Sequence, residues 1–122
     1  MDGHADIVEL FAYLKHEKKE HFCAVFLDAK NMVIRTATIH IGTQTSSIVA
    51  PADVFREALR EGAVSVVVAH NHPSGDPTPS AEDIIVTDRL VELGRLLNIP
   101  VLDHVVIGER KSVSFRERGL IG

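Results

Sequence analysis

Two histidines one residue apart, His70 and His72, stand immediately before a loop rich in proline, serine and glycine. In an extended segment the side chains at positions i and i+2 point the same way, so both imidazoles can converge while Asn71 faces away. Asp83 falls in the first turn of the helix predicted after the loop, where its carboxylate can meet them. Two histidines and one carboxylate are a typical ligand set for a catalytic zinc ion that keeps a fourth position for water. The spacing therefore predicts a zinc site, with hydrolysis as its default chemistry.

Two further residues could take part in such a reaction. A water activated by a metal needs a nearby base to accept its proton, and the candidate is Glu20, just before the first predicted strand. This assignment requires that strand to lie beside the strand predicted over residues 63–69. Ser80 could donate a hydrogen bond to the oxyanion of a tetrahedral intermediate.

Structural explanations of the same residues stay open. A pair of histidines at this spacing is weak evidence for a metal when it is taken alone. Ser80 and Asp83 match Ser-x-x-Asp at a helix start, which resembles a capping box, and by themselves they favour a structural role. Asp103 and His104 interrupt an apolar predicted strand, and we interpret them as a buried, mutually satisfied pair, the alternative being a position beside the metal.

The remaining histidines have no comparable spacing. His21, next to Glu20, is ambiguous, and the others are interpreted as surface or edge residues: His4, His16 and His40.

Apolar periodicity predicts the elements that position these residues. Helices are expected where apolar residues recur at helical spacing, and strands where β-branched residues run together or alternate. The first strand, apolar on both faces, is expected to be central in the sheet, and the second to pair with it antiparallel. The predicted order is a helix over residues 5–16, strands over 21–27 and 32–41, a helix over 51–61, a strand over 63–69, a helix after residue 80, and strands over 101–107 and 112–115. This order predicts an α/β fold, a mixed sheet with flanking helices.

Composition limits the class of protein. A chain of 122 residues with 45% apolar and 25% charged residues is expected to form a single folded domain over residues 1–122, with a leading helix and connection over 1–19 and a core over 20–122. The formal net charge of −4 argues against a generally basic surface for nucleic acid. Cys23 is the only cysteine, so no internal disulfide can form, and a cytoplasmic location is predicted. The sequence predicts no membrane span and no targeting segment.

With these residues assembled, the sequence resembles the JAMM (JAB/MPN+) zinc metalloprotease family. The family signature is an upstream glutamate, then His-x-His, seven residues, serine, two residues and aspartate, and the segment from His70 to Asp83 fits this spacing in full. The stretch HNHPSGDPTPSAEDI, together with Glu20-His21-Phe22 and the segment VLDHVVIG over residues 101–108, looks like the bacterial RadC-type branch. The likeness covers nearly the whole chain from Glu20 onward.

The resemblance implies one zinc ion bound by His70, His72 and Asp83 with a water, Glu20 as general base and Ser80 assisting the intermediate. It also implies a three-layer, cytidine-deaminase-like α/β/α sheet and hydrolysis of peptide or isopeptide bonds. The sequence departs from the deubiquitinating members, which usually have serine or threonine at the position of Asn71 and carry long insertions. The expected substrate is therefore a peptide or protein of unknown identity.

RadC-type proteins usually carry a further N-terminal helical region, so the chain is expected to be the catalytic portion of a longer protein. DNA is expected as a partner only by association with the family. A homo-oligomer of this chain is a further alternative. The competing hypothesis is a metal-binding interaction module, without catalysis, in a DNA repair or recombination protein.

Overall fold

A computed structural model describes residues 3–42 and 49–122. Within these ranges no helix is long and apolar enough to cross a membrane. The elements, in chain order, are α1 His4–Leu10, a 3-10 turn Ala12–His16, β1 Glu20–Leu27, β2 Val33–Gly42, α2 Pro51–Glu61, β3 Ser65–Asn71, α3 Ala81–Leu97, β4 Val101–Ile107 and β5 Ser112–Ser114. The predicted α/β fold with a mixed sheet is confirmed.

The first helix differs from its prediction. The α-helix ends at Leu10 and a 3-10 turn replaces its second half, because Phe11 has φ −109° and ψ 19°, outside the helical range. This change of pitch keeps Phe11 and Leu14 buried on the sheet and leaves Leu10 partly exposed. The prediction of one continuous helix over residues 5–16 is therefore wrong, although Ile7, Phe11 and Leu14, which have helical spacing, are all buried.

Over the described residues the sheet has five strands, in the order β2-β1-β3-β4-β5. Strand β1 pairs antiparallel with both β2 and β3, β3 pairs parallel with β4, and β5 returns antiparallel to β4. The prediction that the first strand is central, with an antiparallel partner after it, is confirmed. This topology places the beginning of β1 beside the end of β3.

Alternation along β1 divides the core into two layers. Phe22, Ala24 and Phe26 pack with residues of α2 and α3, whereas Cys23, Val25 and Leu27 pack with residues of α1 and the 3-10 turn. Because successive strand residues point to opposite faces, a central strand covered on both sides is apolar throughout. The chain therefore folds as three layers, helix on sheet on helices.

The longest helix begins at the predicted point. Ser80 is the N-cap of α3, with its side chain accepting a hydrogen bond from the backbone of Asp83, and Asn98 ends the helix in the left-handed conformation. The loop over residues 72–80 therefore connects the end of the central strand β3 directly to the N-terminus of α3. Three chain segments meet at this edge of the sheet, namely the start of β1, the end of β3 and the start of α3.

Candidate metal centre

Antiparallel pairing of β1 with β3 brings Glu20 to the histidines. Phe22 is the pairing partner of His70, and Glu20, two residues earlier on β1, lies on the same face. The Oε1 atom of Glu20 lies 3.4 Å from Nε2 of His70, and both side chains are buried. The neighbouring strands that the assignment of Glu20 required are present in the sheet.

Four potential ligand atoms converge at this point, one each from Glu20, His70, His72 and Asp83, and all lie within 4.8 Å of one another. The Nε2 atoms of His70 and His72 are 3.0 Å apart. Asp83 places Oδ1 3.2 Å from the first and Oδ2 3.0 Å from the second. Tetrahedral zinc ligands at about 2.0–2.1 Å from the ion are separated by roughly 3.3 Å, so the observed spacing suits such an ion with small adjustments. The residues present fit a divalent metal.

Asp83 belongs to the helix cap and to this cluster at the same time. Its Oδ2 atom accepts a hydrogen bond from the backbone N–H of Ser80 at 2.9 Å, and its own N–H donates to Ser80 Oγ at 3.1 Å. The two explanations of these residues, a capping box and a site, are therefore compatible. Burial alone raises the pKa of Asp83, but the neighbouring His70 and His72 outweigh it and hold the pKa well below its usual range.

The loop fixes the orientation of His72. Its Nδ1 atom lies 2.9 Å from the carbonyl oxygen of Asp76, and since a carbonyl can only accept, Nδ1–H is the donor. The neutral ring therefore presents the lone pair of Nε2 to the cluster. Burial lowers the pKa of His72, but Asp83 and the Asp76 carbonyl both favour the protonated ring and raise the pKa overall.

Asp103 and His104 have separate roles, because adjacent strand residues face opposite sides of the sheet. Asp103 has a structural role, as interpreted, with its carboxylate accepting from Ser114 Oγ at 2.6 Å and from the backbone of Arg116 at 3.0 Å. His104 reaches His70 instead, with 2.7 Å between His104 Nε2 and His70 Nδ1. The interpretation of the two as a mutually satisfied pair is wrong for His104, which lies directly behind the cluster. Its complete burial, and then the neighbouring His70, lower the pKa of His104 well below the usual histidine value.

Asn71 faces away from the cluster, as predicted, and makes contacts that sequence reasoning missed. Its Oδ1 atom accepts from the backbone N–H of His21 at 2.7 Å, and its Nδ2 donates to the carbonyl of Lys19 at 3.0 Å. The side chain therefore holds the backbone on both sides of Glu20. The only signal in the sequence is an amide at the end of an otherwise apolar strand, where a buried polar group needs partners.

A cleft of about 330 Å³ opens above the cluster. The residues that line it all have polar or charged side chains, namely Glu20, His72, Ser74, Asp76, Thr78, Ser80, Glu82 and Asp83. Of the five residues singled out from the sequence, four form the cluster, and the fifth, Ser80, is an exposed residue in the cleft wall. A substrate entering the cleft would meet Glu20, His72 and Asp83, while His70 lies buried behind them.

The fold and this centre define a class of protein, an α/β domain with a candidate metal-binding group at the end of its two central strands. The chain belongs to the RadC-like JAB domain family, whose model matches residues 1–120. The resemblance noted in the sequence to the RadC-type branch is confirmed.

Relatives in Geobacillus and Bacillus agree with this assignment. The chain is 49% identical over 120 residues to a UPF0758 protein of Geobacillus sp. (strain WCH70), an alignment that covers 98% of this chain and 52% of the relative. It is 55% identical over 104 residues to a UPF0758 protein of Bacillus cereus (strain B4264), covering 85% of this chain and 46% of the relative. The chain spans about half the length of the curated relatives it matches. The names of these relatives state no activity.

Proposed function

We propose that this domain is a zinc-dependent hydrolase of the metallopeptidase type, acting on a peptide or isopeptide bond. The observation that carries the proposal is the convergence of two imidazoles and two carboxylates within 4.8 Å of one another, beside an open cleft that three of these residues line. Membership of the JAB domain family supports the same chemistry. The substrate is a peptide or protein.

His70, His72 and Asp83 would hold the ion, and their mixed nitrogen and oxygen set suits zinc. Zinc, when bound, lowers the pKa of a coordinated water to about 7 and polarises a carbonyl oxygen. Keeping Glu20 out of this ligand set leaves a position for water, with the Glu20 carboxylate beside it.

Glu20 would act as the general base. Its carboxylate lies 3.4 Å from His70 Nε2 and on the cleft side of the cluster, within reach of a water held there. In the proposed reaction Glu20 accepts the proton of the attacking water and passes it to the departing amine. The Ser80 hydroxyl, in the wall of the same cleft, would donate a hydrogen bond to the developing oxyanion.

The first test is metal content. Elemental analysis of purified protein should find about one zinc ion per chain, and almost none in a variant carrying both His70→Ala and His72→Ala. His16→Ala, at an exposed position in the 3-10 turn, is the matched control and should retain the metal. Wild-type protein that neither contains zinc nor takes up added zinc would refute the hydrolase proposal.

The second test separates binding from catalysis. Glu20→Gln should retain zinc and lose about 10²-fold to 10⁴-fold in turnover of peptide and isopeptide substrates, because the amide cannot accept the proton. Glu92→Gln, at an exposed position on α3, is the control and should turn over normally. Undiminished turnover by Glu20→Gln would remove Glu20 from the mechanism. Wild-type protein that binds zinc but cleaves none of these substrates would favour an interaction module.

A further inference from the structure

A chain of buried hydrogen bonds runs from the cluster into the core behind it. His70 Nδ1 lies 2.7 Å from His104 Nε2, and His104 Nδ1 lies 2.5 Å from the hydroxyl of Thr87. The same hydroxyl lies 2.7 Å from the backbone carbonyl of Asp83, one turn earlier on α3. His70, Thr87 and His104 are each at most 1% exposed, so water does not replace any of these partners.

The proton positions in this series of hydrogen bonds follow from the donors and acceptors that each group offers. A carbonyl oxygen only accepts, so the single hydroxyl proton of Thr87 goes to the carbonyl of Asp83. The Thr87 oxygen must then accept in its contact with His104, which makes Nδ1–H of His104 the donor. A neutral imidazole with a proton on Nδ1 has a lone pair on Nε2. His104 therefore accepts the hydrogen bond from Nδ1–H of His70.

We propose that His104 and Thr87 are positioning residues that fix His70 in the form protonated on Nδ1, so that the lone pair of Nε2 faces the metal site. This inference rests on the proposed metal-binding function. Each imidazole of the site then has its own acceptor at Nδ1. The carbonyl of Asp76 accepts from His72, and His104 accepts from His70. An aromatic acceptor in the core replaces the carbonyl or carboxylate that usually orients a metal-binding histidine.

Packing around His104 supports an orienting role. Its ring stacks on Phe115, with 4.6 Å between ring centroids, and meets Phe22 edge-on at 5.4 Å. The faces of the imidazole are therefore in apolar contact, and its two nitrogens lie in the line between Thr87 and His70. If the residue served packing alone, a hydrophobic side chain of similar size would replace it without any effect on His70.

The direct test is the protonation pattern of His70 in the metal-free protein. Long-range ¹H–¹⁵N correlation spectra of histidine-labelled protein at mildly alkaline pH distinguish Nδ1–H from Nε2–H rings, and His70→Gln identifies the signal. The expected result is Nδ1–H for His70 in the wild type. A wild-type His70 that carries a proton on Nε2 and none on Nδ1 would overturn the inference, and this measurement does not depend on zinc or on turnover.

A matched pair of variants tests the role of the hydroxyl. Thr87→Val keeps the shape of the side chain and removes the hydrogen bonds, so His70 should populate both forms and the affinity for Zn²⁺ alone should fall about tenfold in competition with a chelator. Thr87→Ser retains the hydroxyl and should bind zinc as the wild type does. Unchanged zinc affinity and an unchanged His70 signal in Thr87→Val would refute the proposal.

Variants at His104 keep the test independent of Thr87. His104→Gln retains one acceptor and one donor and should preserve the Nδ1–H form of His70, whereas His104→Leu should lose it together with about 10-fold to 100-fold in zinc affinity. Equal zinc affinity of the folded Gln and Leu variants would show that His104 only packs. Wild-type protein with the expected His70 signal but no uptake of zinc would refute the proposed function and leave the assignment of the His70 proton standing.

Discussion

Replacing Asn71 by alanine should loosen the segment that carries Glu20 while leaving the proposed metal ligands in place. Asn71 is 1% exposed, and its amide bridges the end of β3 to the backbone that leads into β1. The substitution removes a 2.7 Å bond from the N–H of His21, a 3.0 Å bond to the carbonyl of Lys19 and a longer 3.4 Å contact with the carbonyl of Glu17. The backbone on both sides of Glu20 thereby loses its attachment to the central strand.

The magnitude follows from these contacts. Each hydrogen bond contributes about 0.5–1.5 kcal/mol net, and the two short ones together give a loss of about 2 kcal/mol in the free energy of unfolding. Unfolding entropy of about 2.1 cal/mol/K per residue, over 122 residues, corresponds to about 4 °C in Tm for each kcal/mol. Asn71→Ala should therefore lower Tm by about 8 °C.

Thermal unfolding of metal-free protein, followed by circular dichroism, measures this change, and elemental analysis should still find zinc in the purified variant. Asn71→Asp is the informative companion. Its carboxylate keeps the acceptor for His21 but faces the carbonyl oxygens of Lys19 and Glu17, which raises the pKa of the introduced group in the folded state above the unfolded value. Asn71→Asp should be less stable than the wild type at neutral pH, and this loss in the free energy of unfolding should shrink as the pH falls through the raised pKa. A Tm for Asn71→Ala within about 2 °C of wild type would show that Asn71 does not hold this segment.

Three further outcomes test the cap, a close backbone contact and the buried thiol. Ser80→Ala removes the N-cap of α3 and should cost about 1 kcal/mol, whereas Ser80→Asp can cap and should recover most of it in the same melting assay. Gly108→Ala should lower the free energy of unfolding by about 1–3 kcal/mol, because a Cβ there would lie 2.5 Å from the carbonyl oxygen of Gly75. Gly122→Ala is the neutral control, since a Cβ at that position would meet no described atom within 4 Å. Burial raises the pKa of the Cys23 thiol, so native protein at mildly alkaline pH should react with a thiol reagent far more slowly than protein in denaturant. Equal labelling rates in the two states would contradict the buried position of Cys23.

Most of the fold is predictable because each element carries its own local signal. The unbroken β-branched run before His70 marks a strand covered on both faces, and Gly62 in the left-handed conformation ends α2 where the sequence predicts it. The first helix was predicted less well, because a 3-10 turn and an α-helix bury nearly the same apolar positions over so short a segment. Spacing alone could not distinguish them at Phe11, where tertiary packing on the sheet determines the pitch.

The sequence predicts three members of the cluster more directly than the fourth. His70, His72 and Asp83 lie within fourteen consecutive residues, so strand alternation and a helix cap suffice to bring them together. Glu20 lies fifty residues before His70, and only the antiparallel pairing of β1 with β3 places it there. The sequence indicates Glu20 as a candidate base, and the register of the sheet brings its carboxylate to 3.4 Å from His70.

The residues that support the site were the hardest to recognise, for a common physical reason. Asn71 and His104 are polar residues within apolar strands, and from the sequence each is equally consistent with any buried partner. Their partners lie on other segments, Asn71 on the approach to β1 and His104 on β3 and α3, so long-range geometry determines what they do. His104 on β4 faces the cluster and contacts His70, whereas Asn71 on β3 faces the other way and contacts the backbone around Glu20. The alternation that makes His70 and His72 converge thus also places Asn71 where it can hold the backbone on both sides of Glu20, so one short strand segment positions both sides of the cluster.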